Sequence, residues 1–119
     1  MEKLTHQEEA VMQVIWQTGK GFIKDYIERL PDPKPPYTTV ASVVKKLEDK
    51  GYLQGKKYGV IIEYSVLIPE KEYKRKFMKG FVKDYFENSY KELVTFFAKD
   101  KKISPEELKE IIKMIEESK

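Results

Sequence analysis

The hydrophobic period changes once between residues 38 and 68, and that change constrains the fold more than any other feature. Val40, Val43, Val44 and Leu47 recur at i, i+3, i+4 and i+7, the stripe of an amphipathic helix. Thr38 is placed to cap its start and Gly51 to end it. Beyond Gly51, Tyr52–Lys57 and Val60–Ile68 are rich in β-formers, with Tyr58-Gly59 between them as a turn. The spacing predicts a two-stranded hairpin whose tip is Lys56-Lys57-Tyr58-Gly59.

Two further helices precede this unit. Thr5 followed by Glu8 reads as a capping box, predicting a helix over His6–Thr18. Its stripe is Leu4, Val11, Met12 and Ile15 with Trp16 beside it, and Glu8 falls on that stripe at its exposed start. Gly19 and Gly21 bracket the stop. A short helix fits Phe22–Leu30. Pro31–Pro36, reading PDPKPP, must be a loop. Three helices followed by a hairpin is the order of a winged helix-turn-helix.

Pro69 opens a long helix in which Tyr73, Phe77, Phe81 and Tyr85 fall every four residues. Another is expected over Ser89–Lys99, burying Leu93, Val94, Phe96 and Phe97. Ser104-Pro105-Glu106-Glu107 is a strong helix start, and Leu108, Ile111, Ile112 and Ile115 form the stripe that follows. The chain therefore divides near Ile68. Residues 1–68 carry a complete core. Residues 69–119 carry wide aromatic stripes on short helices that cannot bury them alone. The fold class is mainly α with a small β-hairpin, and the second part is read as a dimerisation domain.

Composition narrows the function. The 119 residues are 40% hydrophobic and 36% charged, and cysteine is absent, which removes disulfides and thiolate metal sites. No apolar run reaches the roughly 20 residues of a membrane span. The opening MEKLTHQEEA lacks the apolar core of a signal peptide, so a cytosolic location without membrane attachment is expected. The single His6 lies in the first turn of a helix and reads as a solvated residue. No phosphate-loop, dinucleotide, nucleophile-elbow, zinc-protease or EF-hand pattern occurs. Neither an enzyme nor a bound cofactor is expected.

Net charge is +3, yet Tyr37–Tyr58 alone holds five lysines against two acids. Thr38, Thr39, Ser42, Lys45 and Lys46 lie opposite the valine stripe, with Lys56 and Lys57 on the hairpin. Hydroxyls can bond base edges, a threonine methyl can meet a thymine methyl, and lysine can reach guanine or phosphate. No arginine lies between Tyr37 and Lys57, so the bidentate arginine–guanine contact is missing from this surface. That favours A·T-containing sites and phosphate anchoring. An ordinary amphipathic helix in a small helical domain would carry the same pattern, and the residues alone leave the two open. A winged helix used for protein docking is a further alternative.

The ordered set Leu4-Thr5, Glu8, Val11-Met12, Val14-Ile15-Trp16, Tyr37-Thr38-Thr39-Val40, Leu47 and Lys50-Gly51-Tyr52-Leu53 resembles the penicillinase-repressor family. Tyr64-Ser65-Val66-Leu67-Ile68, Glu72-Tyr73, Leu93-Val94, Phe97 and Ile103–Leu108 extend the resemblance over nearly the whole chain. It implies a homodimeric transcriptional repressor that binds an inverted-repeat operator in double-stranded DNA. Thr38, Thr39, Ser42 and Lys46 match positions on the DNA-facing side of the recognition helix. Ala41 replaces the long polar residue frequent in relatives. Tyr73, Phe77, Phe81, Tyr85, Leu93, Phe97, Leu108, Ile111, Ile112 and Ile115 are the expected dimerisation residues. The copper-responsive branch carries paired cysteines that this chain lacks. The β-lactam branch is released by a regulatory protease cutting an Asn-Phe bond, and the matching pair here is Phe96-Phe97, without the asparagine.

Overall fold

The computed structural model describes residues 1–100 and 103–117. Its elements are α1 (His6–Thr18), α2 (Ile23–Arg29), α3 (Tyr37–Asp49), β1 (Leu53–Tyr58), β2 (Ile61–Val66), α4 (Glu70–Phe86), α5 (Tyr90–Lys99) and α6 (Pro105–Glu117). They divide into two compact units, Met1–Tyr73 and Lys74–Lys119.

The first unit is a winged helix. Met12, Ile15, Tyr26, Val44, Leu47, Tyr52 and Leu53 are fully or almost fully buried in one core. The capping box of α1 forms as its sequence predicts, with Glu8 N–H donating to Thr5 Oγ1 at 3.2 Å and Thr5 N–H to Glu8 Oε1 at 2.8 Å. Glu8 itself is only 3% exposed, against its expected place at an exposed start. Lys50, 42 residues away, reaches it at 2.6 Å and makes burial of the charge tolerable.

Helix α3 starts at Tyr37, and Pro36 rather than Thr38 occupies the cap. Pro36 has φ −60° and ψ 149°, and its carbonyl accepts from Thr39 and Val40. The C-terminus closes in a Schellman arrangement. Tyr52 N–H donates to Leu47 O and Gly51 N–H to Glu48 O, each at 3.0 Å, with Gly51 at φ +86°. This turn aims the chain straight into β1.

The hairpin pairs Leu53 with Val66 through Tyr58 with Ile61. Its two-residue loop is therefore Gly59-Val60, not the expected lysine-containing tip, and Lys56 and Lys57 lie within β1. Gly59 at φ +64° supplies the conformation such loops need at their first position. Gly21 adds a stub of third strand, exchanging hydrogen bonds with Tyr64 at 3.0 and 2.7 Å. The Gly19–Gly21 helix break is thus also a sheet contact.

The expected division at Ile68 falls short by one helical turn. Tyr73 packs on the first core, its ring centroid 5.1 Å from Trp16 and 5.9 Å from Tyr52. Its hydroxyl donates to Glu9 at 2.6 Å, and Trp16 Nε1–H donates to Ile68 O at 2.9 Å. Burial and the Glu9 hydrogen bond raise the Tyr73 pKa. Tyr73, expected as a dimerisation residue, therefore packs on the core of the first unit.

The second unit holds the rest of α4 with α5 and α6. Helix α4 ends with Glu87 and Asn88 at positive φ, and Ser89 caps α5 by accepting from Glu92 N–H at 3.1 Å. Ser104 and Glu107 form the predicted capping box of α6. Among the described residues of this unit, Val82 and Leu93 are the buried hydrophobics.

Candidate nucleic-acid interface

The valine stripe of α3 is buried against the rest of the first unit, which forces the opposite side of the helix outward. Thr38, Ser42, Lys45 and Lys46 are exposed, as the pattern predicts. Thr39 is only half-buried at the edge, beside an apolar cleft lined by Ala10, Leu30, Pro33 and Val43. Ala41 is half-buried on the opposite edge. Tyr37, which the helical pattern did not single out, is 58% exposed in the first turn of α3. Asp49 is exposed at the last position of the helix.

The hairpin is fixed to this helix by more than the connecting turn. Glu48 Oε2 accepts from Gly55 N–H at 3.1 Å. A β-carbon at position 55 would meet Ile62 Cγ2 at 2.9 Å, so the close approach requires glycine. Behind the strands, Tyr26 is fully buried and its hydroxyl donates to Gly19 O at 3.0 Å. Burial, aided by the Asp25 charge, pushes its pKa up to about 12. It acts as a neutral strut beneath β2. The sequence reading missed Glu48, Gly55 and Tyr37. A glycine inside a strand pattern was the available signal for Gly55.

Lys56 and Lys57 are both exposed on β1, with Lys56 Nζ 5.3 Å from the centroid of the Tyr58 ring. The first unit thus brings Thr38, Ser42, Lys45 and Lys46 together on one face of α3, and places the two remaining lysines on the attached hairpin. Hydroxyl donors and flexible ammonium groups on the outer face of a helix suit a groove lined by phosphates. No group of acids and histidines that could hold a metal ion occurs among the described residues. No described helix is long and apolar enough to cross a membrane.

In the second unit, Phe77 is 57%, Tyr85 73%, Phe96 52% and Phe97 36% exposed. The rings form a chain, from Phe77–Phe81 at 6.4 Å through Phe81–Phe86 and Phe86–Phe96 to Phe96–Phe97 at 5.5 Å. Phe96 and Phe97 are therefore not buried within one chain, against the sequence expectation. The apolar stripe of α5 is wider than a single neighbouring helix covers. Leu93 is buried, and Leu108 and Ile111 are half-buried. The side chains of Ile112 and Ile115 lie outside the described residues.

Comparison with known proteins matches residues 4–117 to the family model described as penicillinase repressor. The chain is 26% identical over 110 residues to the methicillin resistance regulatory protein MecI of Staphylococcus aureus, covering 92% of this chain and 89% of that protein. The corresponding protein of Mammaliicoccus sciuri is 26% identical over 112 residues, with the same shares covered. Among solved structures, the ligand-free organohalide-sensing transcriptional regulator RdhR superposes with a TM-score of 0.50 at 16% identity. That likeness spans 97% of this chain and 62% of the other, and it concerns the fold alone.

Proposed function

The chain belongs to the penicillinase repressor family, and on that premise we propose that it is a homodimeric repressor that grips an inverted-repeat operator with two winged helices. The observation that carries this reading is the outer face of α3, where Thr38, Ser42, Lys45 and Lys46 stand exposed over a fully buried valine stripe. Helix α3 enters the major groove, with the two hydroxyl side chains on base edges and the lysines largely on phosphates. Thr39, at the edge of the helix, contributes through its methyl group or a neighbouring phosphate. Lys56 and Lys57 extend the phosphate contacts along the wing.

Assembly follows from the second unit. Exposed Phe77, Tyr85, Phe96 and Phe97 offer apolar surface that a second copy of the same helices covers, and Phe81, Leu93, Leu108 and Ile111 are the further apolar residues of that unit. The same surface supplies the means of release. Proteolysis near Phe96-Phe97 would destroy the dimer domain and leave the DNA face intact. With phenylalanine at 96, the protease must differ in preference from one that cuts an Asn-Phe bond. The proposed repressor works without a cofactor, in the cytosol.

Competition binding tests the DNA face. Lys45→Gln and Lys46→Gln should weaken operator and random duplex alike and lower the salt slope by about one unit per lost contact per half-site. Thr38→Ala and Ser42→Ala should instead reduce the operator-to-random ratio, by about five- to a hundredfold for a good base contact. If both hydroxyl variants leave that ratio unchanged, α3 is not the reading helix.

A further inference from the structure

The end of the wing departs from what a solvated hairpin presents. Opposed residues of an antiparallel pair share a face. Leu53 with Val66, Gly55 with Tyr64, and Lys57 with Ile62 form the inner face, which holds buried Leu53 and Tyr64. Gln54 with Ser65, Lys56 with Glu63, and Tyr58 with Ile61 form the outer face. That face is polar at its base and apolar at its end. Tyr58 is 46% exposed, Ile61 52%, and Val60 in the loop fully exposed at 101%. Two-residue hairpin loops favour asparagine, aspartate and glycine, and a β-branched apolar residue there gains nothing from water. Lys56 and Lys57 border this apolar tip.

A protein partner is a poor occupant, because specific protein interfaces bury about 800 Å² on each side. Three side chains on a hairpin end cannot supply that area. A narrow apolar tip bordered by ammonium groups matches a narrow cleft bordered by phosphates, which is the minor groove at about 6 Å wide. The reach is also appropriate. From the Gly55 anchor on Glu48, the strand extends roughly 13 Å to the loop at about 3.3 Å per residue. That length is comparable to the width of the major groove, about 12 Å, so it carries the tip across a phosphate ridge into the next groove.

With the wing tip set in the minor groove beside the half-site read by α3, we propose that Val60, supported by Tyr58 and Ile61, senses whether guanine is present there. The proposal rests on the repressor reading. An A·T pair offers only acceptors on the groove floor, whereas a G·C pair adds the guanine 2-amino donor. Burying that donor against valine methyl groups strips its water and returns no hydrogen bond. Val60 therefore excludes G·C pairs under the tip, and the wing adds A·T preference without arginine.

The probe is the duplex that full-length protein enriches from a random-sequence library. It is remade with the flank under each wing as A·T, G·C or inosine·C pairs. Inosine·C has the major-groove face of G·C but lacks the 2-amino group. The intact protein should bind the A·T and inosine·C forms within about twofold and the G·C form about tenfold more weakly. Val60→Gly should level all three, and Val60→Ile should restore the difference. The proposal is overturned if inosine·C behaves like G·C, if all three forms bind the intact protein equally, or if Val60→Gly keeps the preference. Enrichment of no duplex at all would overturn the repressor reading together with this one. Enrichment with indifference to the flank overturns the wing proposal alone.

Discussion

Among the described residues, Glu8 is the one charged side chain buried in the core. Burial pushes its carboxyl pKa upward. The hydrogen bond and charge of Lys50, with the N–H of Thr5, outweigh that and hold it below the ordinary value of 4.5. A carboxyl with a depressed folded-state pKa stabilises the fold above its ordinary value. That contribution is lost as pH falls through the folded-state value. Urea midpoints measured from pH 7 down to pH 3 should therefore fall less steeply for Glu8→Gln than for the unaltered chain, and parallel curves would show that Glu8 carries none of the acid sensitivity. At neutral pH, Lys50→Ala strands the carboxylate and should cost about 2–4 kcal/mol. Gly55 is the other sensitive position. A β-carbon there meets Ile62 Cγ2 at 2.9 Å and the Glu48 carboxylate at 3.1 Å. Gly55→Ala should destabilise by about 1–3 kcal/mol in chemical denaturation and should weaken DNA binding beyond that of Gln54→Ala, because it pries the wing from α3.

At the scale of elements, the join between the wing and α4 supplies its own prediction. Tyr73 closes the first core through Trp16, Tyr52 and Glu9. A chain of residues 1–75 should fold alone and exceed one of residues 1–68 in stability by about 1–3 kcal/mol. Equal urea midpoints would mean that the first turn of α4 contributes nothing to the winged helix. The same join shows what the sequence could and could not reveal. Helices α1 and α6 were legible because a capping box is written within four residues, at Thr5–Glu8 and Ser104–Glu107. The outer face of α3 was legible because four buried apolar residues settle which side points out. Its cap was misplaced by two residues, since Pro36 caps through its fixed backbone and offers no side-chain signal. The hairpin register was misjudged because Gly59 can serve a turn with either neighbour, and cross-strand pairing chose Gly59-Val60 over Tyr58-Gly59. Burial of Glu8 and capture of Tyr73 depend on partners 42 and 64 positions away, beyond the reach of any local pattern.

For the whole molecule, the proposed dimer would set two heads on one operator. The second unit leaves Phe77, Tyr85, Phe96 and Phe97 exposed in a single chain. Light scattering at micromolar concentration should therefore give about twice the chain mass of 14.1 kDa. Phe77→Asp combined with Tyr85→Asp should return it to one chain. Tying two heads together makes binding of the second head intramolecular, with a gain of about a hundred- to ten-thousandfold on a full inverted repeat. A half-site offers no such gain. A chain ending before Phe97 keeps the complete winged-helix core and the α3 face but loses Phe97 and all of α6. It should bind a half operator as the intact protein does and bind the full operator about a hundredfold or more weakly. On the proposed reading, cutting the second unit would relieve repression without touching a DNA contact, because the heads would fall back to their individual affinity. Titration of both proteins against both duplexes separates the possibilities. If the shortened chain binds the full operator as tightly as the intact one, affinity resides in each head alone, and cleavage in α5 cannot be the switch.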